Sequence, residues 1–444
     1  MFQRTLRLFV ALTLASSVSF AAPSSKQSAQ PAKVVINAVT LKKLMLDRNI
    51  DLLVQLNQVQ QAKARVSQAR GNVLPSINLG TVVASGVSFG LATVSVLLPF
   101  LLPSKWFDLR QTQYLLNAQG SAYYIAQLNT YASAASLYYT ILNDMELRVA
   151  LNNQYISSKN LEDSMKSAME RGIISPEDFL KAQAQTQLAF IQVSHVDTLI
   201  NTEKAAVREM LALPLTTEIA FERAHAPASQ YENQAPMVLL PQVLKTSPEY
   251  SQMNSMIAAA QAAKWSQAFS FLTGSSLTAS KSNGSFGDVS HIGTANLGFG
   301  YFPALEISNL NVAALQLQKQ ALEFDHAQIL EVTLVSLNEA EKQLSAADVA
   351  VANLQKVYDS QLGRFRLGMV SLVELLQTTN SLTSALANRV TAQGALDNQR
   401  VALHRIMLTD QFTTVAACKI KQRPRKATWK PQEEQASLDK ACRG

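Results

Sequence analysis

A mainly helical protein carrying a membrane β-barrel portion is the fold class this sequence predicts, and three observations predict it. The chain of 444 residues is rich in apolar positions (48%) and poor in charge (16%), which excludes intrinsic disorder. Long stretches place apolar residues at alternating three- and four-residue steps, the signature of coiled-coil packing. Four short stretches alternate apolar and polar side chains with a period of two, the signature of strands. Apart from the extreme N-terminus, no run of about 18 apolar residues exists, so a polytopic helical membrane protein is excluded.

The first 21 residues read as an export signal: Arg4 and Arg7, an apolar stretch from Leu8 to Leu14, then Ser19-Phe20-Ala21 before a cut at Ala22. Residues 22–38 form an N-terminal linker. The formal charge of +7 is not spread over the body, because Arg4 and Arg7 contribute two charges and Cys418–Gly444 a net five. A nucleic-acid-binding surface therefore has no support.

The chain repeats itself. Residues 40–80 and 237–280 each read as a helix followed by a short apolar alternation, with Gln68-Ala69 answered by Gln267-Ala268 and Leu74 by Leu272. Further on, Gly172-Ile173-Ile174-Ser175 is echoed by Gly368-Met369-Val370-Ser371. The near-constant offset of about 198 residues predicts one duplicated helix–strand–strand–helix–helix unit. The first repeat spans 39–215, with strands at 76–86 and 90–99 and a hairpin tip at 171–178. A linker or equatorial segment, 216–236, separates it from the second, 237–410, with strands at 269–280 and 291–302 and a tip at 366–374. A basic tail occupies 411–444.

Within each repeat a helix of about 90 Å (110–170; 307–367) is returned by a shorter one (177–212; 373–409). The opening helix (40–72; 240–268), set end to end with the returning one, restores the length. The long-helix seams are Leu128, Tyr131, Ala135, Tyr138, Leu142, Met145 and Val149 in one, and Leu330, Leu334, Leu337, Glu341, Leu344, Ala347, Val351, Leu354 and Tyr358 in the other. Strands of about ten residues suit a tilted bilayer crossing. Four strands cannot close a barrel, so spanning a membrane requires several copies to share one. Trp106 and Phe107 flank one strand pair and Trp265, Tyr301 and Phe302 the other, as membrane-interface aromatics do; alternatively they plug the seam between a soluble sheet and its helices.

Two tip motifs, Arg171-Gly172-Ile173-Ile174-Ser175-Pro176-Glu177-Asp178 and Leu367-Gly368-Met369-Val370-Ser371-Leu372-Val373-Glu374, within this duplicated plan from about 38 to 410, resemble those of the outer membrane efflux protein family, the TolC-like outer membrane factors. The resemblance implies a homotrimer with a twelve-stranded barrel in outer-membrane lipid and a helical tunnel through the periplasm. It further implies docking of a periplasmic adaptor (membrane fusion) protein on Gly172, Ile173, Ile174, Ser175, Gly368, Met369, Val370 and Ser371. An inner-membrane efflux pump or ABC exporter of a tripartite efflux or type I secretion system would supply the energy. Glu374 matches a family carboxylate at the pore constriction, and Gln377 stands where the next one would be. Asp178 matches a gate-locking carboxylate whose family partners correspond to Phe365 and Val370; Arg364, Arg366 or Arg171 could substitute.

Glycine at each tip also has a plain structural role, relieving positive φ where a helix ends, with Ser175 and Ser371 as caps for the next. Glu374 likewise suits a helix N-terminus. Cys418 and Cys442 could form a disulfide in an exported tail. The five histidines are scattered, and neither a phosphate loop nor a nucleophile elbow occurs, so no enzyme, metal or cofactor is indicated. A soluble periplasmic coiled-coil scaffold or adaptor with a small β domain is the alternative reading.

Overall fold

The computed structural model describes residues 33–74, 102–272 and 299–415. These contain β1 (Lys33–Ile36), α1 (Ala38–Arg48), α2 (Ile50–Val73), α3 (Pro103–Glu170), α4 (Pro176–Met210), β2 (Glu218–Phe221), α5 (Pro236–Thr246), α6 (Pro248–Ala268), α7 (Tyr301–Arg366) and α8 (Leu372–Met407). Short 3₁₀ turns occupy Ser270–Leu272 and Asp410–Thr414.

Two helices set the scale. With 68 and 66 residues, α3 and α7 are each about 100 Å long. Neither contains proline beyond its first turn, and Pro103 opens α3 where its missing N–H costs nothing. The expected start at residue 110 is therefore too late. On α3, Leu128, Tyr131, Ala135, Tyr138 and Leu142 of the expected seam are buried, while Val149 is exposed. On α7, Leu330, Leu334, Leu337 and Tyr358 are buried, whereas Glu341 lies on the solvent side, where its charge stays hydrated.

The partners of these helices are spliced end to end. α2 and α4, about 36 and 53 Å long, both pack on α3; α6 and α8, about 32 and 54 Å, both pack between α3 and α7. At the first splice one amide serves both helices: Asn49 Oδ1 accepts from Leu52 N at 3.0 Å, and its Nδ2 donates to Met210 O at 2.9 Å. At the second, Arg405 in the last turn of α8 pairs with Glu249 in the first turn of α6, each charge complementing its own helix dipole. Burial pulls the Glu249 pKa up, but the charge and hydrogen bond of Arg405, a backbone hydrogen bond and the Ser247 hydroxyl together hold the carboxyl below its ordinary value. Arg405 Nε also donates to Asn129 Oδ1 of α3 at 2.9 Å. Ser247 caps α6 through Tyr250 N and meets His326 Nε2 of α7 at 3.0 Å.

Both opening helices, expected to be continuous, are broken. Asn49 interrupts 38–73 with ψ 122°, and Ser247 interrupts 236–268 with the same ψ. At Ser247 the cause is Pro248, whose ring disfavours helical ψ in the residue before it; at Asn49 the side-chain cap competes with the backbone bond.

A feature absent from the sequence reading joins the two segments taken as linkers. β1 and β2 form a parallel pair, Lys33 to Glu218 through Ile36 to Phe221. Its buried Ile36 and Ile219 enter a core with Leu41, Leu128, Tyr138 and Leu211. The chain is also anchored beyond residue 410: Phe412 is buried against Tyr131 with ring centroids 4.8 Å apart, so the tail begins later than expected.

The expected strands 76–86 and 90–99 lie outside the described residues, as do 273–280 and 291–298, the signal segment and both cysteines. Where the expected strand ends can be seen, they are not strands. Ser270–Leu272 is a 3₁₀ turn, and Tyr301 and Phe302 begin α7. Pro303 has the φ a helical first turn requires and loses no hydrogen bond there.

Candidate functional site

The hairpin tips are built twice from one design. At the end of α3, Gly172 has φ 70°; its N–H donates to Met169 O at 2.8 Å and Ile173 N–H to Ala168 O at 2.9 Å. At the end of α7, Gly368 has φ 73°, with Gly368 N–H to Phe365 O at 2.9 Å and Met369 N–H to Arg364 O at 3.0 Å. This pair of bonds is the Schellman closure, and glycine supplies the left-handed residue it demands. Three residues on, Ser175 and Ser371 cap the returning helices by accepting from Asp178 N and Glu374 N at 3.1 and 3.3 Å. Asp178 and Glu374, which sequence reasoning assigned to different roles, thus occupy the same position, the third of their helix.

Their side chains diverge. The Ser175 hydroxyl donates to Asp178 Oδ2 at 2.9 Å, and Asp178 Oδ1 lies 3.7 Å from Lys181 Nζ. Lys181 is held above its ordinary pKa, first by its hydrogen bond to Glu177 and then by Asp178. Arg171, Arg364 and Arg366 are exposed, and none appears in an ion pair with Asp178; Arg171 Nε donates instead to Ser167 O at 2.9 Å. Glu374 is exposed and accepts from Gln361 Nε2 at 3.2 Å. One turn on, Gln377 lines a groove of about 890 Å³ with Lys181, Leu354, Asn380 and Ser384. Across that region Gln185 Nε2 of α4 donates to Asn380 Oδ1 of α8 at 2.9 Å.

The apolar side chains expected to dock an adaptor, and their neighbours Leu367 and Val373, split by exposure. Ile173, Leu367, Met369 and Val373 present apolar surface to solvent. Val370 is buried, and Ile174 packs with Met165, Ala182, Phe179 and Leu372, so these two hold the tips together from within. At the far end, Phe107 stacks on both Trp265 and Phe269, centroids 6.2 and 5.8 Å apart. Tyr301 donates to Ala268 O at 2.7 Å and stands edge-on to Phe302. The aromatics expected to flank two separate strand pairs thus form one neighbourhood on helix ends, with Trp106, Trp265 and Phe302 exposed.

Sequence reasoning missed a belt of charge across the four lower helices. Asp197 of α4 pairs with Arg148 of α3. Glu146 of α3 meets Arg389 of α8 at 2.7 Å, and Arg389 meets Asp348 of α7 at 2.6 Å. It also missed Asp397, fully buried on α8, which accepts from Ala226 N and Asn143 Nδ2 at 3.1 Å each. Together with Arg400–Glu232 at 3.2 Å and His404 to Pro227 O at 2.9 Å, it straps the segment after β2 onto α8. No spacing in one helix betrays such pairs, because their partners are up to 254 residues away. Among the described residues, no three His, Cys, Asp or Glu side chains are grouped to hold a metal, and no helix is long and apolar enough to cross a membrane.

Spliced helices of this length around a paired-tip hairpin are a narrow architectural type, and the comparisons identify it. Residues 41–213 match the outer membrane efflux protein family. The matched stretch runs from α1 to the end of α4 and takes in the first tip. No curated protein sequence matches the chain. Solved structures extend the likeness across both halves. The CmeC outer membrane channel of Campylobacter jejuni has a TM-score of 0.65 at 13% identity, covering 83% of this chain and 85% of its own. The open state of the MtrE outer membrane channel of Neisseria gonorrhoeae gives 0.60 at 13%, over 83% and 88%. The outer membrane protein VceC of Vibrio cholerae gives 0.64 at 11%, over 83% and 96%. The fold is that of these outer-membrane proteins.

Proposed function

We propose that three copies of this chain form a passive exit duct anchored in the outer membrane and extending into the periplasm, the outlet of a tripartite efflux or type I secretion system. The observation that carries the reading, beside the family match, is an apolar seam that nothing among the described residues covers. Along α7, Ile307, Leu310, Ala314, Leu317, Ala321 and Phe324 follow three–four steps and are all exposed. That is a coiled-coil face, and a second copy of the chain is its natural cover.

On this reading the four stretches outside the described helices, contributed by three chains, close a twelve-stranded barrel that leaves no edge in lipid. Trp106, Trp265 and Phe302 mark the interface where the helices give way to it. The tips point into the periplasm, where Ile173, Leu367, Met369 and Val373 offer an adaptor its apolar contact. Three Glu374 carboxylates around the axis form an anionic constriction favouring cations, and the Gln377 ring above it is uncharged. Asp178, which pairs with no arginine among the described residues, locks the tips by reaching Arg364 or Arg366 of a neighbouring hairpin. The duct performs no chemistry; an inner-membrane pump or ABC exporter supplies the work.

The test is the purified mature protein. It should require detergent, run as a trimer and conduct in planar bilayers with cation preference. Glu374→Lys should turn that preference toward anions, and charge reversal at Asp178 or Arg366 should raise conductance. A water-soluble monomer that never inserts into liposomes would overturn the reading.

A further inference from the structure

Where α3 and α4 run antiparallel, each side chain on one has a counterpart on the other. Leu151 packs with Val196 and Ile200, and Arg148 pairs with Asp197. One step nearer the α4 C-terminus the register brings two acids together, Asp144 of α3 and Glu203 of α4, hydrogen-bonded to each other. Glu203 is only 9% exposed, and its Oε2 has no hydrogen-bond partner among the described residues. Among the described residues no cation compensates. Arg148 is occupied by Asp197, and Arg389 of α8 by Glu146 and Asp348. Asp397 of α8 faces Asn143, Ala226 and His225 instead. Neither Lys204 nor any other base is among the influences on either carboxyl.

Two carboxylates at hydrogen-bond distance in a half-dry seam cannot both be ionised without strong repulsion. We propose that Asp144 and Glu203 share a single proton, making the α3–α4 packing a proton-held latch that loosens as the surroundings turn alkaline. Burial, then the hydrogen bond and charge of Asp144, push the Glu203 carboxyl up to about 8; the Asp144 carboxyl is also raised, by burial. The sign follows from linkage. A carboxyl whose folded pKa exceeds its unfolded value binds its proton more tightly in the fold. Its stabilising contribution is therefore present at low pH and lost as pH rises through the folded value near 8. The pair lies on the same α3–α4 interface as Arg148–Asp197, so its release loosens α4 against α3.

This inference does not depend on the duct reading, and its test uses the purified full-length mature protein without partners. Infrared difference spectra from pH 6 to 9.5 should show a protonated-carboxyl carbonyl band lost with a midpoint near 8, absent in Glu203→Gln and shifted to lower pH in Asp144→Asn, which removes the neighbouring charge. Over the same range the wild type should lose thermal stability while Glu203→Gln keeps it. A wild-type protein with no such band at pH 6, or a band that persists unchanged in Glu203→Gln, overturns the proposal.

Discussion

The first hairpin buries Gln154, Glu162 and Glu203 along α3 and α4 and half-buries Asp144. The second is packed with Leu330, Leu337, Leu375, Leu382, Leu396 and Leu403, and its buried Thr379 spends its hydroxyl on Leu375 O of its own helix at 2.9 Å. Both hairpins nonetheless end in the same glycine closure and the same serine cap. The splices differ in the same spirit, an amide bridging two helix ends at Asn49 and an ion pair at Arg405–Glu249. Backbone geometry is held by turn and cap residues, which both halves keep. What fills each seam is where the halves have parted: α3 and α4 bury Gln154, Glu162 and Glu203, whereas α7 and α8 meet through leucines, with Asp397 of α8 taken up by the strap to the segment after β2.

The largest effect that would sharpen this contrast is expected from Leu337→Ala. Its side chain is 1% exposed, and truncating a buried leucine costs about 2–5 kcal/mol. Hydrogen exchange should show α7 and α8 losing protection while α3 and α4 keep theirs; equal loss in both would mean the hairpins are not independent. Next come Gly172→Ala and Gly368→Ala. A Cβ at either position meets nothing within 4 Å, so the cost is backbone strain alone, about 1–2 kcal/mol at positive φ. Denaturant titration of the two variants should give matching losses, and a clear inequality would break the equivalence of the tips. The smallest effect belongs to Glu162→Leu. Glu162 Oε1 pairs with Lys159 Nζ at 3.2 Å, but its Oε2 is buried without a hydrogen-bond partner among the described residues, and replacing a half-satisfied buried ion with an apolar side chain is often neutral or stabilising. The thermal midpoint should hold or rise by the equivalent of about 1 kcal/mol; a fall of that size would show that the charge is needed.

Much of the fold was legible because it is local. Three–four spacing located α3 and α7, and Gly-x-x-Ser located both tips and so the starts of the returning helices, because periodicity and φ > 0 are properties of a few neighbouring residues. The breaks at Asn49 and Ser247 were legible in part: Ser-Pro is a written stop, whereas Asn49 interrupts its helix only with Met210 there to receive its amide. Only the end of the expected strand 291–302 differs: Tyr301 and Phe302 suit a strand end and a helix start equally, and they begin α7, with Tyr301 bonded to Ala268 O. In the candidate site, the glycine turns and serine caps at the tips were found, but the burial of Val370 was not, because exposure depends on packing rather than on the residue's own neighbours in sequence.

By itself the sequence determined which segments are helices, where the long ones turn back, and that two halves share a plan, since each follows from interactions within about ten residues. Only the tertiary structure decided that β1 pairs with β2 across 185 residues of chain, that Asp397 straps a loop, and that charges from four helices meet in one belt. It also decided that Asp144 and Glu203 face each other. Such pairings depend on which helix lies beside which and in what register, and that is fixed by the summed packing of whole faces rather than by any residue's own neighbours.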